Sequence, residues 1–552
     1  NFGQTRASHQ LYGFLRGGSH QAPWDPDLIK ITSCHSVMPL SKLDKRHTLL
    51  FNPDQPCDAK TAVYRANCVP IGYQVVTHAS CHCNELRALY NRHLVDRSYI
   101  PFEKNVWESI SAATIKFYQV KLDRISYSDV IMDYSGGKKH RYIAALQQLH
   151  DGGWQDRYGR VQMFVKPDRY DADAIEEKAP RAIQYRHPCF NLVFSTFIKP
   201  IETWMYPNVT FGSVSNTRVV AKGMNNYDRA AIVLEKISYF DEPIYLLIDH
   251  SKFDSTINVD HLKSTHKKYR AMHGHHYLLN KCMKAQLRNI GYSKSGIRYI
   301  ARGTRMSGDP DTALGNTMVN LDCLWGFLYL CGISKYDMLL DGDDSIVMIE
   351  RTDLAKVDPI WFGKFGFETK LQVVYRLADI EFCQSKIVLA TRPVFVRNPI
   401  RIFSHTQYQR MRPKYRKCSD NWLAAVGMCE LACNSGVPII QEYGRQLSTL
   451  SKKPKFEPDH LFRWDTHKGN EPTEVTLEAR LSFQDAFGID LEMQHLLEKY
   501  DYTQERKQIE ILDWLNYHSY LNIISNVPAI GPLWATNTLL GSASSRSRAG
   551  IG

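Results

Sequence analysis

Two apolar runs that end in acid constrain this chain more than anything else in it. Tyr245-Leu-Leu-Ile leads into Asp249. Met338-Leu-Leu precedes Asp341-Gly342-Asp343-Asp344, and Ser345-Ile-Val-Met follows at once. Short apolar runs bounded by turn residues read as strands. Carboxylates at their ends then meet on the rim of a sheet, where they are suited to hold hard divalent cations for chemistry on phosphates. Taken alone, Gly342-Asp343-Asp344 has a simpler explanation, because Asp-Gly beside apolar segments is the strongest short-range hairpin signal. The neighbouring motifs decide between the two.

Asp254 follows Asp249 by five residues, with Phe253 beside it as an anchor for the core. In a strand that runs into a turn, Asp249 faces the cations and Asp254 reaches toward a bound nucleotide. Two cations held by Asp249, Asp343 and Asp344 would activate an attacking hydroxyl and neutralise a departing pyrophosphate. Between the acidic blocks lies Ser307-Gly308-Asp309-Pro-Asp-Thr312-Ala-Leu-Gly-Asn316. Ser307 and Thr312 offer hydroxyls, Gly308 a flexible backbone, and Asn316 lies four residues after Thr312 on the same helix face. An amide there, beside Asp254, could hydrogen-bond a ribose 2′-OH. By itself Ser-Gly-Asp-Pro is an ordinary turn and helix cap.

Upstream, Lys166, Arg169, Lys178, Arg181 and Arg186 form a basic segment, with Lys166 and Arg181 suited to a triphosphate. The interleaved Asp168, Asp171, Asp173, Glu176 and Glu177 equally fit a solvated charged face. Lys370 follows the acidic pair and could donate a proton to leaving pyrophosphate. Phe382-Cys-Gln-Ser-Lys386 reads as a tight turn into a strand, with Lys386 gripping a primer or product strand.

At 552 residues the chain can bury large cores and suggests roughly three structural units. Its net charge of +12 favours a polyanionic partner. The cysteine count, 13, is odd and no CxxC occurs, which argues against a disulfide framework or a zinc ribbon. Cys81-His82-Cys83 with His78 is the densest Cys/His cluster, but its spacing is poor for a closed tetrahedral site. No apolar run reaches the length of a membrane span, and none reads as a signal peptide. Asn1 in place of Met reads as the start of a trimmed, processed or partial product.

Periodicity predicts helices over 84–93, 102–121, 260–273 and 312–330, and a helix after the Tyr134–His140 loop that stops at Gly152-Gly153. Strands are expected over 75–77, 162–166, 244–249, 337–340, 345–349 and 386–389. This is an α+β pattern. Beyond Pro399 a basic stretch (Arg401, Arg410, Arg412, Lys414, Arg416, Lys417) leads into packed helices around 475–483 and 509–515. The Gly/Ser-rich basic tail, 541–552, is expected to be disordered.

In this order the blocks resemble the RNA-dependent RNA polymerases of positive-strand RNA viruses. Asp249…Asp254 resembles motif A, Ser307-Gly308…Thr312…Asn316 motif B, and Gly342-Asp343-Asp344 motif C. Lys370 is similar to the motif D lysine and Phe382-Cys-Gln-Ser-Lys386 to motif E. Lys166…Lys178-Ala-Pro-Arg181-Ala-Ile-Gln is similar to motif F, and Tyr134-Ser-Gly-Gly-Lys138 to the template-contacting loop before it. The wording is closest to the tombusvirus-like and nodavirus-like group.

The resemblance implies a right hand of fingers, palm and thumb. Its palm would be a ferredoxin-like antiparallel sheet and its thumb mostly helical. The expected divisions are an N-terminal extension of unassigned role (1–100), fingers (101–240), palm (241–400, with a fingers insertion near 270–300), thumb (401–540) and tail (541–552). It further implies Mg²⁺ or Mn²⁺ on Asp249, Asp343 and Asp344, which with Lys370 would be the catalytic residues. Nucleoside triphosphates would meet Lys166, Lys178, Arg181, Asp254, Ser307, Thr312 and Asn316. Template and product RNA would meet Lys138, Gly308 and Lys386. Other viral replication proteins and host membranes would be indirect partners, in membrane-associated complexes of the host cytoplasm. Reverse transcriptases share the metal aspartates but usually lack the Ser-Gly…Thr…Asn block. A non-catalytic scaffold with a dead palm is disfavoured because each expected metal ligand is present.

Overall fold

The structure, a computed structural model, describes residues 30–32, 36, 38–57, 62–65, 75–171, 175–406, 408–409 and 416–503. The expected helix at 509–515, the 541–552 tail, and Asp173, Arg410, Arg412 and Lys414 lie outside the described residues. In chain order the strands used below are β1 (Thr48–Leu50), β2 (Val161–Val165), β3 (Ala182–Arg186), β4 (Pro243–His250), β5 (Arg288–Ser293) and β6 (Arg298–Arg302). Then come β7 (Tyr336–Asp341), β8 (Asp344–Glu350), β9 (Thr369–Val374), β10 (Glu381–Phe382), β11 (Ser385–Val388) and β12 (Val394–Arg397). The helices are α1 (Lys104–Thr114), α2 (Gly136–Gly152), α3 (Pro188–Asn208), α4 (Asn226–Ile237), α5 (Val259–His273), α6 (Thr312–Leu330), α7 (Arg416–Cys433), α8 (Ile440–Ser448) and α9 (Leu477–Phe487).

In a four-stranded antiparallel sheet ordered β7-β8-β4-β9, Tyr245-Leu-Leu-Ile and Ser345-Ile-Val-Met form the middle strands and Met338-Leu-Leu lies on the adjoining edge strand. Successive residues of a strand point to opposite faces, and the core divides accordingly. Ile244, Leu246 and Ile248 of β4, Met338 and Leu340 of β7, and Val347 and Ile349 of β8 pack into one cluster with Leu314, Met318 and Phe327 of α6. Tyr245, Leu339, Ile346 and Met348 enter a second cluster with Ala230 and Val233 of α4 and Phe382, Ile387 and Phe395 of the small sheet β10-β11-β12. A strand covered on both faces must be apolar throughout, which is why these runs do not alternate. Burying each large side chain contributes roughly 1.5–3 kcal/mol. That outweighs the ~1 kcal/mol spread of strand propensities, so the core sets the register.

A five-stranded sheet, β1-β6-β5-β2-β3, lies apart from the first in topology. Its β2 and β5 are parallel and its other pairs antiparallel. The C-terminal helices α7, α8 and α9 share their own core, including Leu423, Val426, Tyr443, Leu447 and Phe483.

Most predicted elements are present, with ends shifted by a few residues. The expected helix 84–93 is α-helical over His82–Ala88 and then widens into a π-turn, Leu89–His93. Lys138, expected in a loop, sits in the first turn of α2. Several elements are not expected from the sequence, among them β1, β5, β6, β12 and α4, and three more have a clear physical reason. In β3 the buried residues are Ala182, Gln184 and Arg186, while Ile183 and Tyr185 are half-buried, so hydropathy points the wrong way. The reason is polar pairing: Arg186 donates to Asp309 (2.7 Å) and Asn289 (2.5 Å), and Gln184 donates to the Tyr299 hydroxyl (2.7 Å). Helix α3 contains Pro200 and Pro207, which read as breakers in sequence. In β9 the residues that face out are polar (Lys370, Gln372), and the run is too short to stand out.

Helix α6 is buried nearly all round, yet it carries Asp322. That carboxylate accepts from Thr114 of α1 (2.6 Å) and pairs with Lys268 of α5, joining three helices in the interior. Burial pushes Lys268 below and Asp322 above their ordinary values in spite of the contact, so desolvation outweighs attraction in this pair. Lys268→Met is therefore expected to destabilise the protein by about 3–5 kcal/mol by stranding a buried carboxylate. Lys268→Met with Asp322→Leu should recover most of that loss. Apparent melting midpoints of the parent and the two variants check it, and a double variant no better than the single one contradicts it.

Candidate active site

The sheet places its acidic residues where the apolar cover ends. Asp341 pairs with Asp344 across the β7–β8 hairpin, Lys370 pairs with Asp249, and one step beyond Ser345↔Ile248 the β8–β4 register reaches Asp344 beside Asp249. Cross-strand neighbours share a face. Asp341, Asp344, Asp249 and Lys370 therefore form one row across the sheet, on the face of Tyr245 and Ile346. Asp343 sits in the two-residue turn itself. Gly342 has φ +74° while Asp343 stays out of that region, a type II′ turn that needs glycine first. The hairpin reading of Gly342-Asp343-Asp344 is therefore met, and the same turn brings Asp343 and Asp344 to the rim beside Asp249.

Electrostatics agree with the geometry. Burial, followed by the charges of Asp343, Asp249 and Asp341, pushes Asp344 up to about 6. Burial likewise raises Asp343, helped by Asp254 and Asp249 and opposed by Arg181. Crowded, half-buried carboxylates of this kind resist ionising together and favour a cation among them. Asp341 is already neutralised: it pairs with Lys222 and with Arg229 (2.5 Å). Among the described residues no three His, Cys, Asp or Glu side chains are gathered closely enough to enclose a metal by themselves, Cys81-His82-Cys83 included.

Asp254 follows β4 in a single helical turn, Phe253–Thr256, entered through Lys252 at φ +54°. Its Oδ1 accepts from Asn316 Nδ2 at 2.6 Å, so the two residues singled out for the sugar touch. Behind them the buried Arg305 donates to Asn316 Oδ1 (3.3 Å) and to Asp311 (2.7 Å), and its backbone N–H donates to the Asp254 carbonyl (2.7 Å). Asp309 is held by Arg186 and Gln286, and Asp311 also by Gln286 and Tyr269. The 307–312 turn is therefore rigidly held. Gly308 serves close packing rather than flexibility: a Cβ there would lie 2.7 Å from the Gln184 carbonyl. Ser307 Oγ accepts from Gln184 N–H (3.1 Å), and Thr312 Oγ1 donates to the Met306 and Asp309 carbonyls (both 2.8 Å).

In the basic segment, Lys166 (3.1 Å) and Arg181 (3.5 Å) share the Asp168 carboxylate, and Lys178 lies 5.8 Å from the centre of the Tyr170 ring. The electrostatics also bring in Arg92, which was not a sequence candidate. Burial and the Arg181 guanidinium lower its pKa, while Tyr170, Asp254 and Asp168 act in the opposite direction. Arg92 lies on the π-turn 89–93. The main chain there accepts from Lys252 at Asn91 (3.1 Å) and from Arg97 at Arg92 (3.0 Å), and Arg97 also donates to Ser255 (2.9 Å). The only signal in sequence is a basic residue on a helix with no motif around it.

Two candidates lie away from this group. Lys138 packs over the Tyr134 ring at 4.0 Å. Lys386 Nζ donates to the Ala486 carbonyl in the last turn of α9 (3.0 Å), where a cation meets the negative helix end. The turn before Lys386, Cys383-Gln384, has positive φ at both residues and closes the β10–β11 hairpin.

Comparison with known proteins bears on the whole assembly. Residues 49–507 match the family described as viral RNA dependent RNA polymerase. The chain is 32% identical over 416 residues to the RNA-directed RNA polymerase of Groundnut rosette virus (strain MC1), covering 71% of this chain and 47% of that protein. It is 29% identical over 419 residues to that of Cucumber necrosis virus (72% and 48%) and 28% identical over 485 residues to that of Carnation mottle virus (82% and 62%). The chain spans about half the length of the first of these curated relatives. With most of its length matched, and with the resemblance to the tombusvirus-like group met by these relatives, the chain belongs to the viral RNA-dependent RNA polymerase family.

Proposed function

We propose that this chain is an RNA-directed RNA polymerase, a nucleotidyltransferase that copies the genome of a positive-strand RNA virus. The observation that carries the proposal is the rim itself: Asp249 and Asp344 side by side, Asp343 in the adjoining turn, and the Asp254–Asn316 hydrogen bond next to them. In the reaction, the 3′-oxygen of the growing RNA attacks the α-phosphorus of a nucleoside triphosphate. The bond to the β-phosphate oxygen breaks, pyrophosphate leaves, and the hydroxyl proton is lost to solvent or base.

The donor set on the rim is all carboxylate oxygen, which suits Mg²⁺ or Mn²⁺ better than a softer metal. Asp249, Asp343 and Asp344 would hold such ions, with waters and the triphosphate completing the shell, as Mg²⁺ usually requires. When bound, the ions would lower the pKa of the attacking hydroxyl and neutralise the departing oxygen. Asp254 and Asn316 would bind the ribose 2′-OH, and Ser307 and Thr312 hold the turn that presents Asn316. Arg181, Lys166 and Lys178, joined by Arg92, would receive the triphosphate, with Asp168 released as phosphate oxygens replace it. Lys370, on the rim beside Asp249, is the candidate proton donor to pyrophosphate.

In the right-hand architecture the β7-β8-β4-β9 sheet would be the palm and α7–α9 the thumb. The five-stranded sheet would belong to the fingers, and residues 288–302 pair there with 161–186, as a fingers insertion would. Lys138 and Gly308 would line the template path and Lys386 would brace the product side. Among the described residues no helix is long and apolar enough to cross a membrane. Other viral replication proteins and host membranes would be indirect partners, in membrane-associated replication complexes of the host cytoplasm.

Primer extension on a short RNA template with labelled nucleotides and Mg²⁺ tests this. Asp343→Asn is expected to lower the incorporation rate at least a hundredfold, about 2.7 kcal/mol in the barrier. Parental activity in that variant refutes the assignment, and preferential use of deoxynucleotides by the parent refutes the RNA-polymerase reading. Asn316→Ala should raise the dNTP-to-NTP efficiency ratio about tenfold, the worth of one net hydrogen bond. An unchanged ratio removes Asn316 from sugar recognition.

A further inference from the structure

The rim carboxylates occupy one face of the sheet, and a second, buried set of polar residues occupies the other. His250, Ser345 and Thr369 are each the chain neighbour of a rim residue: Asp249, Asp344 and Lys370 respectively. Because side chains alternate along a strand, all three point to the α6 side. There they meet Asn320, one helical turn after Asn316. Asn320 Nδ2 donates to the Gly342 carbonyl (2.8 Å) and to Ser345 Oγ (2.9 Å), and Asn320 Oδ1 lies 3.2 Å from His250 Nε2. His250 Nδ1 lies 2.8 Å from Thr369 Oγ1.

The chemistry leaves one arrangement. A backbone carbonyl only accepts, so the Asn320 amide nitrogen must face Gly342 and its oxygen must face His250. His250 therefore carries its proton on Nε2. The ring is buried and surrounded by Phe253, Phe362 and Phe367, which favours the neutral imidazole, so Nδ1 accepts from the Thr369 hydroxyl. Asn320 uses both amide hydrogens on the β7–β8 hairpin, at the Gly342 turn and at Ser345, and its oxygen on His250 of β4.

We propose that Asn320 and His250 form a positioning clamp that fixes, from behind the sheet, the spacing of Asp249, the Gly342–Asp344 turn and the Lys370 strand. The clamp rests on the polymerase assignment for its catalytic consequence but not for its structural one. Gly342 is the point of greatest leverage. A type II′ turn with glycine first is held at its crown by few bonds, and the Asn320 amide anchors its carbonyl one residue from Asp343. Helix α6 thereby carries two functions on one stripe, Asn316 at the sugar and Asn320 at the carboxylate turn. A substitution that releases the turn should misplace carboxylates without touching any group that contacts the nucleotide.

The test pairs Asn320→Leu, close in volume and unable to hydrogen-bond, with the milder Thr369→Val, which keeps the strand and removes one link. Amide hydrogen exchange of the segment spanning Leu340–Ser345 is expected to speed up in Asn320→Leu, while α7–α9 exchange as in the parent. In preassembled elongation complexes, the rate constant for single-nucleotide addition should fall by about a hundredfold, as a displacement near 1 Å can cause. The NTP concentration at half-maximal rate and the dNTP-to-NTP ratio should stay at parental values. Thr369→Val should shift the same quantities in the same direction by less, and His250→Gln, which retains an N–H donor, should retain more activity than His250→Leu.

A purely structural role lowers the fraction of chains that enter complexes and leaves the addition rate constant of the rest unchanged. That result overturns the clamp. Unchanged exchange at the turn in Asn320→Leu also overturns it, and this readout needs no catalysis. If the parent itself adds no nucleotide, the polymerase reading fails, while exchange still decides whether the clamp exists.

Discussion

Everything in the candidate site depends on one constraint: a four-stranded sheet covered on both faces, whose central strands leave their apolar cover at the same end. Ile244, Leu246 and Ile248 are pinned against α6, and Tyr245 against the α4 side. A slip of one residue would exchange the two faces of β4 and expose one core to the other's neighbours. Because that slip costs several large buried side chains at roughly 1.5–3 kcal/mol each, the position of Asp249 relative to Asp344 is set by hydrocarbon packing. The carboxylates, which repel one another, could not set it themselves.

The polar parts of the site are built on the opposite principle. The 307–312 turn is immobilised by buried charges, Arg305 with Asp311 and Arg186 with Asp309, each further bound by neutral partners such as Gln286. Buried pairs of this type add little net stability, since desolvation cancels their attraction. Their value is geometric. Hydrogen bonds have directions that apolar contacts lack, and the Asp254–Asn316 contact at 2.6 Å lies at the end of that directed network. Packing thus sets the sheet, and directional bonding sets the helix and turn that face it.

Reading from sequence succeeded where a motif's local form and its tertiary role coincide. Helix 312–330 was predicted to the residue, and the strands carrying Asp249 and Asp344 to within one or two residues, because long or wholly apolar segments have few alternatives. It failed where burial was polar. Strand Ala182–Arg186 hides Gln184 and Arg186, and hydropathy has no means of distinguishing a buried arginine paired with Asp309 from a solvated one. Helix Pro188–Asn208 was missed because two internal prolines carry the local signature of a break. In sequence Gly308 signals a flexible backbone, yet in the fold it is a contact point for the Gln184 backbone. In sequence the basic segment fits a phosphate site and a charged face equally, because the pattern does not reveal that Asp168 bridges Lys166 and Arg181.

The sequence by itself determined which residues have the chemistry: the acidic trio, the Asp254 and Asn316 candidates, and the order of motifs that marks the family. These are properties of residue type and spacing, and they survive without knowledge of the fold. Only the tertiary structure decided who stands behind whom. Asn320, His250, Arg92 and Lys222 have no motif of their own, and their roles arise because the sheet has two faces and because distant segments end beside Asp254 and Asp341. Contacts of that kind bridge tens to hundreds of residues, so no local pattern in the chain could encode them.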